Sequence, residues 1–158
     1  MCSLSNEITH STVDVDTVRS KIKDDSLRLI DVRREEDYNK GHIPNAVNLP
    51  LASLLSDDSP ESVVKLAEDM GIADNTQVVV YDDTFGALAS RVAWTLQYIG
   101  HDNVALLEVT YSQWKELGLK TSNEKPNIKP AKHSLNLKPN IMATAEYLEK
   151  AKEKENVV

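Results

Sequence analysis

Asp82 and Asp83 stand directly after an apolar, β-branched run, Thr76-Gln77-Val78-Val79-Val80-Tyr81, and before a turn that carries Thr84, Phe85 and Gly86. Such a run reads as a buried strand. In a parallel α/β sheet, ligands sit outside the carboxyl ends of the strands. The N–H groups that open the next helix attract negative charge there. Two carboxylates at that place suggest acid–base work, a metal, or phosphoryl transfer through an aspartyl phosphate. They also fit a purely structural role at a helix N-terminus, where each negative charge is stabilised by about 0.3–1 kcal/mol, and that role is preferred. Arg91 either reaches an anion at the loop or ties its helix to Asp31 or to the acidic loop. His42 reads as ordering a turn through hydrogen bonds, and Asp31 and Arg33 as structural charges at a strand end. The other histidines, His10, His101 and His133, lack metal-ligand spacing, so neither a metal nor a cofactor is expected.

The elements that must position these residues alternate. A short entry strand is expected over 8–12, then a helix on the stripe Val13, Val15, Val18 and Ile22. Leu27 to Val32 reads as a strand, Glu35 to Asn39 as one helical turn closed by Gly41, and Ala46 to Leu49 as a strand between Pro44 and Pro50. Ser59-Pro60-Glu61 opens a helix that Gly71 closes. The helix after Gly86 runs to Ile99, Val104 to Leu107 is a further strand, and Ser112 is placed to cap a short helix carrying Trp114. Strands alternating with helical patterns imply a mostly parallel α/β sheet.

Composition bounds the function. The chain has 158 residues, enough for one sizeable core. Its net charge of −7 argues against nucleic acid or an anionic membrane as the main partner, since both require a basic face. Cys2 is the one cysteine, which excludes an internal disulfide and a Cys-rich metal site. Neither a secretory leader nor a membrane-length apolar run is visible. A reducing, cytoplasmic location is the expectation.

Three stretches then point the same way. Leu29-Ile30-Asp31-Val32-Arg33 is followed by Tyr38 and by Gly41-His42-Ile43-Pro44-Asn45-Ala46-Val47-Asn48-Leu49-Pro50. Val78 to Arg91 is followed by Ile99-Gly100-His101, and Leu106-Leu107-Glu108 leads to Trp114. In this order and spacing the chain resembles a rhodanese domain over roughly residues 8–120, specifically the first domain of the two-domain thiosulfate and 3-mercaptopyruvate sulfurtransferases. The resemblance implies a five-stranded parallel sheet flanked by helices. It also implies a nucleophilic cysteine immediately after the central strand, whose thiolate accepts the donor's sulfane sulfur as a persulfide and passes it to a thiophilic acceptor. Here that position is Asp82, and a carboxylate forms no persulfide. The loop Asp82, Asp83, Thr84, Phe85, Gly86 to Arg91 is longer than in active domains and resembles that of the non-catalytic first domain. The match to an aspartyl-phosphate motif is poorer, because haloacid-dehalogenase-type enzymes separate their two aspartates by one residue.

Two positions depart from the resemblance. Val109-Thr110 replaces a usual Gly-Gly, and β-branched residues resist positive φ, so the turn there must be rebuilt. Asn45 replaces a usual glycine, and asparagine tolerates the left-handed region. Residues 1–120 are thus expected to form a catalytically silent domain, and 121–140 a linker or wrapping arm. Residues 141–158 are expected to start a second rhodanese-like repeat. Glu146-Tyr147-Leu148 and Asn156-Val157-Val158 echo Asp16-Thr17-Val18 and Ser26-Leu27-Arg28 at one fixed offset. The expected partners are that second domain, a small sulfur donor in the complete enzyme and, through an apolar face left uncovered, a second copy of the chain. The alternative is a free-standing, non-catalytic binding module on the same scaffold.

Overall fold

The computed structural model describes residues 11–24 and 26–137. The expected helix over 143–153, the second repeat and Cys2 lie outside them, as do residues 8–10 of the expected entry strand.

Five strands form one parallel sheet in the order β1 (Ser11–Val13), β5 (Val104–Leu107), β4 (Gln77–Tyr81), β2 (Leu27–Asp31), β3 (Val47–Asn48). The five-stranded, mostly parallel sheet that the resemblance implies is present, and every strand pair in it is parallel. Parallel strands need covering on both faces, and alternate side chains of β4 show how this is met. Val78 and Val80 face α3 (Leu51–Ser56), α4 (Pro60–Asp69) and α5 (Ala87–Tyr98), whose Leu54, Val63, Ala67, Val92 and Leu96 complete one core. Val79 and Tyr81 face α1 (Val15–Lys21), α2 (Glu35–Lys40) and α6 (Tyr111–Glu116), which contribute Val18, Tyr38 and Trp114 to the other.

Helix ends follow local chemistry. Asp14 caps α1 by accepting from Thr17 N at 2.7 Å. Ser59 sits at the N-cap of α4 with Pro60 in the first turn, but its hydroxyl donates to Asp57 instead of capping. The helix α3 was not expected, because six residues after Pro50 are too few to show a period. For α6 the cap is Thr110, not Ser112. Thr110 Oγ1 accepts from Gln113 N and Gln113 Oε1 accepts from Thr110 N, a reciprocal capping box. This resolves the Val109-Thr110 departure. Thr110 has φ −77°, and the positive φ that a Gly-Gly pair allows is not used. Asn45 does adopt it, at φ 68°, with its side-chain amide donating to Ile22 O.

Residues 122–136 run along the domain as an arm. Ser122 bridges to His42, Ala131 N donates to Glu68 O, and Asn136 N donates to Ile99 O. Two buried histidines hold it. His42 Nε2 lies 2.8 Å from Glu124 O and His101 Nδ1 lies 2.9 Å from His133 Nε2. The arm passes so close that a Cβ on Gly100, whose φ is 104°, would stand 2.6 Å from Asn136 O. Gly100→Ala should therefore cost about 1–3 kcal/mol through backbone strain and loss of that contact. Urea denaturation measures the cost, and faster amide exchange at Ala131, Ser134 and Asn136 locates it. Unchanged exchange at those three amides would show that the arm is not held there.

Candidate functional site

The carboxyl ends of β2 and β4 are neighbours, with Asp31 paired to Tyr81. Polar residues begin where these strands stop.

Asp82 is 2% exposed, and its side chain is fully engaged. Oδ1 accepts from Thr84 N at 3.0 Å and Gly86 N at 2.9 Å. Oδ2 accepts from Thr84 Oγ1 at 2.9 Å, Leu88 N at 3.0 Å and Ala89 N at 2.9 Å. The last two are orphan N–H groups of the first turn of α5, the groups that otherwise bind anions. The turn is bent to present them: Phe85 has φ 56° and Gly86 φ 94°. A phenylalanine in that region is strained by about 1–2 kcal/mol, and here its side chain is 83% exposed. Burial pushes the Asp82 carboxyl up, but the N–H groups of Ala89, Gly86 and Thr84 and the Thr84 hydroxyl outweigh it and hold the pKa below the ordinary 3.8.

Asp83 turns the other way and accepts from Ser112 N at 2.9 Å and Ser112 Oγ at 2.8 Å, tying the loop to α6. The two carboxylates are thus spent on separate backbone ends. Among the described residues no group of three His, Cys, Asp or Glu side chains is placed to hold a metal.

Beside them lies a second buried charge system. Asp31 accepts from Arg33 N, Nε and Nη2, the last at 2.8 Å, and from Tyr81 Oη at 2.6 Å. Tyr81 Oη in turn accepts from Ile43 N at 3.1 Å. Burial first, and then the Asp31 charge, push the Tyr81 phenol well above its usual value, so it remains a donor. Arg33 Nη2 also donates to Gly41 O at 2.6 Å. Gly41 is there for space, since its φ of 164° is ordinary and a Cβ would stand 2.8 Å from Tyr111 Oη. His42 is fully buried, stacked on Tyr38 at 3.9 Å, with Nδ1 3.0 Å from Tyr38 O.

The loop residues Asp82, Asp83, Thr84, Phe85 and Gly86 share one sheet end with Asp31, Arg33 and Gly41. Arg91 stands apart and meets neither Asp31 nor the acidic loop. It pairs with Asp58 at 3.2 Å, donates to Thr95 Oγ1, and lies 4.8 Å over Trp94. One turn of α5 beyond the loop carries it to the flank, toward the 57–59 turn. Sequence reading missed Tyr111, whose ring lies 3.9 Å under the Arg33 guanidinium. The Thr110-x-x-Gln113 pattern was the available signal for the helix start that places it.

The rhodanese-like domain family matches residues 14–117, more than half of the chain. The chain belongs to that family. This rhodanese-like domain is 30% identical over 132 residues to the sulfur carrier protein TtuD of Thermus thermophilus, covering 78% of this chain and 46% of that protein. It is 31% identical over 126 residues to the 3-mercaptopyruvate sulfurtransferase of Mus musculus, covering 73% of this chain and 42% of that one. The solved structure of the 3-mercaptopyruvate sulfotransferase SseA from Escherichia coli matches with a TM-score of 0.71 at 22% identity, over 83% of this chain and 57% of that chain. At that identity the likeness is one of fold. The chain spans less than half the length of either curated relative.

Asp82→Asn keeps the shape of the side chain but removes the charge and turns an NH2 group toward N–H donors. A loss of about 3 kcal/mol at pH 7 is expected in urea denaturation. The folded-state pKa lies below the unfolded one. The carboxylate's contribution is therefore complete above the ordinary value of 3.8 and is lost as pH falls through the folded value. The gap between the native protein and Asp82→Asn should hold from about pH 7 to 5 and shrink below about pH 4. A gap that is undiminished at pH 3 contradicts this account of Asp82.

Proposed function

We propose that this rhodanese-like domain is the N-terminal, non-catalytic half of a two-domain sulfurtransferase. The donor would be thiosulfate or 3-mercaptopyruvate, and a second rhodanese-like domain would supply the nucleophilic cysteine. In that chemistry a thiolate attacks the sulfane sulfur of thiosulfate, the donor's S–S bond breaks, sulfite leaves with the electron pair, and the protein keeps a persulfide for a thiophilic acceptor.

The observation that carries the reading is the occupancy of the loop cradle by Asp82. Four backbone N–H groups and one hydroxyl, which suit a sulfur anion, are satisfied from within by a carboxylate. An oxygen nucleophile in that place cannot hold a sulfur–sulfur bond. Support for a second domain comes from the share of the relatives that this chain covers, 46% and 42%. The role left to this half is to pack against its partner domain and help form the cleft. Phe85, at the tip of the loop, is the most exposed large apolar side chain described.

A thiocyanate assay with thiosulfate and cyanide on this chain should stay at background. Turnover that persists in Cys2→Ser would sink the proposal. The protein continued beyond Val158 should be active and should lose activity when the cysteine of its second strand-end loop is replaced by serine. An inactive continuation without such a cysteine favours the stand-alone binding module.

A further inference from the structure

Next to the filled cradle is a cavity of about 630 Å³, bounded by the Arg33–Arg34 turn, the end of α2, the Asp83–Thr84 turn and α6. Its size falls among small-molecule pockets. The charged side chains lining it are Arg33, Arg34, Lys40 and Lys115 against Asp37 and Asp83. In a chain of net charge −7 this is a local excess of cations.

Accounting for their partners separates them. Arg33 is bound to buried Asp31. Arg34 Nε lies 3.5 Å from Asp37 Oδ2 and 3.9 Å from Glu36 Oε2. Asp83 is committed to the start of α6 through Ser112. Lys40 and Lys115 have no carboxylate within ion-pair distance among the described residues. Lys115 Nζ lies 4.9 Å from the centre of the Tyr111 ring, the same ring that carries the Arg33 guanidinium at 3.9 Å. Tyr111 therefore gathers Arg33 and Lys115 onto one side of a concavity whose lining cations outnumber its carboxylates four to two, and such an excess attracts anions.

The geometry points to a binding site for a small divalent oxyanion in this pocket, contacted by Lys40 and Lys115 beside Tyr111. It is a different place from the loop cradle, which Asp82 closes to any external anion. It requires no sulfur chemistry and stands whether or not the chain is half of a tandem enzyme. Two unpaired ammonium groups match two negative charges. A sulfate- or phosphate-sized group carries those two charges in a volume that this open pocket admits.

The test is an amide NMR titration of the full chain with sodium sulfate, at ionic strength held constant with sodium chloride. Saturable shifts at Gly41, Thr84 and Thr121, with a Kd on the order of 1–10 mM, are expected. Lys40→Ala and Lys115→Ala should each weaken binding about tenfold, whereas Lys40→Arg and Lys115→Arg should retain it. Lys65→Ala, which removes an exposed cation paired with Asp69 outside the pocket, should change nothing. Non-saturating shifts, or shifts that are equal in the native protein and both alanine variants, overturn the site. Spectra of the alanine variants that match the native one away from the pocket exclude misfolding as the cause of lost binding.

Discussion

The Asp82 carboxylate is the interaction on which the rest of this sheet end depends. A loop that turns its N–H groups inward toward a common point leaves them unpaired unless an anion sits there. Asp82 supplies that anion covalently, at the end of β4, so the cradle is filled whenever the domain is folded. The positive φ of Phe85 and Gly86 and the start of α5 follow from it. The backbone carbonyl of the same residue receives Tyr111 N. A charged acceptor with several amide donors is among the stronger hydrogen-bonding arrangements available to a protein. Its energy is large enough to hold a phenylalanine in a conformation that it otherwise avoids.

The Asp31–Arg33 pair organises the neighbouring strand end by a different route. Isolating two charges from water is expensive, and breaking such a pair by removing one member is costlier than the pair is stabilising. The structure meets the requirement by satisfying nearly every polar atom around it: Tyr81 for Asp31, Gly41 O for Arg33, and the Asn48 amide for the carbonyls of both. Each of these partners comes from a separate element. Through Tyr81 and Gly41 the pair ties β4 and the end of α2 to β2, and thereby shapes the wall of the adjacent pocket.

Much of this was legible in the sequence. Alternating apolar strands and periodic helices gave the parallel sheet, because burial on both faces demands continuous apolar runs such as Val78-Val79-Val80. The acidic residues at the end of β4 marked the loop, and Asn45 marked a left-handed turn. What the sequence hid were contacts between residues far apart in the chain. Arg91 could be assigned to a helix but not to Asp58, 33 positions away. His101 and His133 meet across 32 positions and carry no local signature. The helix α3 is too short for periodicity to declare it. Val109-Thr110 in place of a glycine pair conflicts with a positive φ at that turn, and Thr110 removes the conflict by acting as a cap, which replaces backbone freedom with a side-chain hydrogen bond.

The arm that leaves α6 begins at His42, near the carboxyl ends of the strands. By Asn136 it lies against Ile99, at their amino ends. It has then crossed the length of the sheet, roughly 17 Å for a five-residue strand. Anything tethered to residue 137 starts from the pole of the domain opposite the pocket. To cover the pocket it must come back over that distance, which takes at least five or six extended residues, or several turns of helix. The length of the tether, and not only the complementarity of surfaces, then limits how a following segment can approach the site.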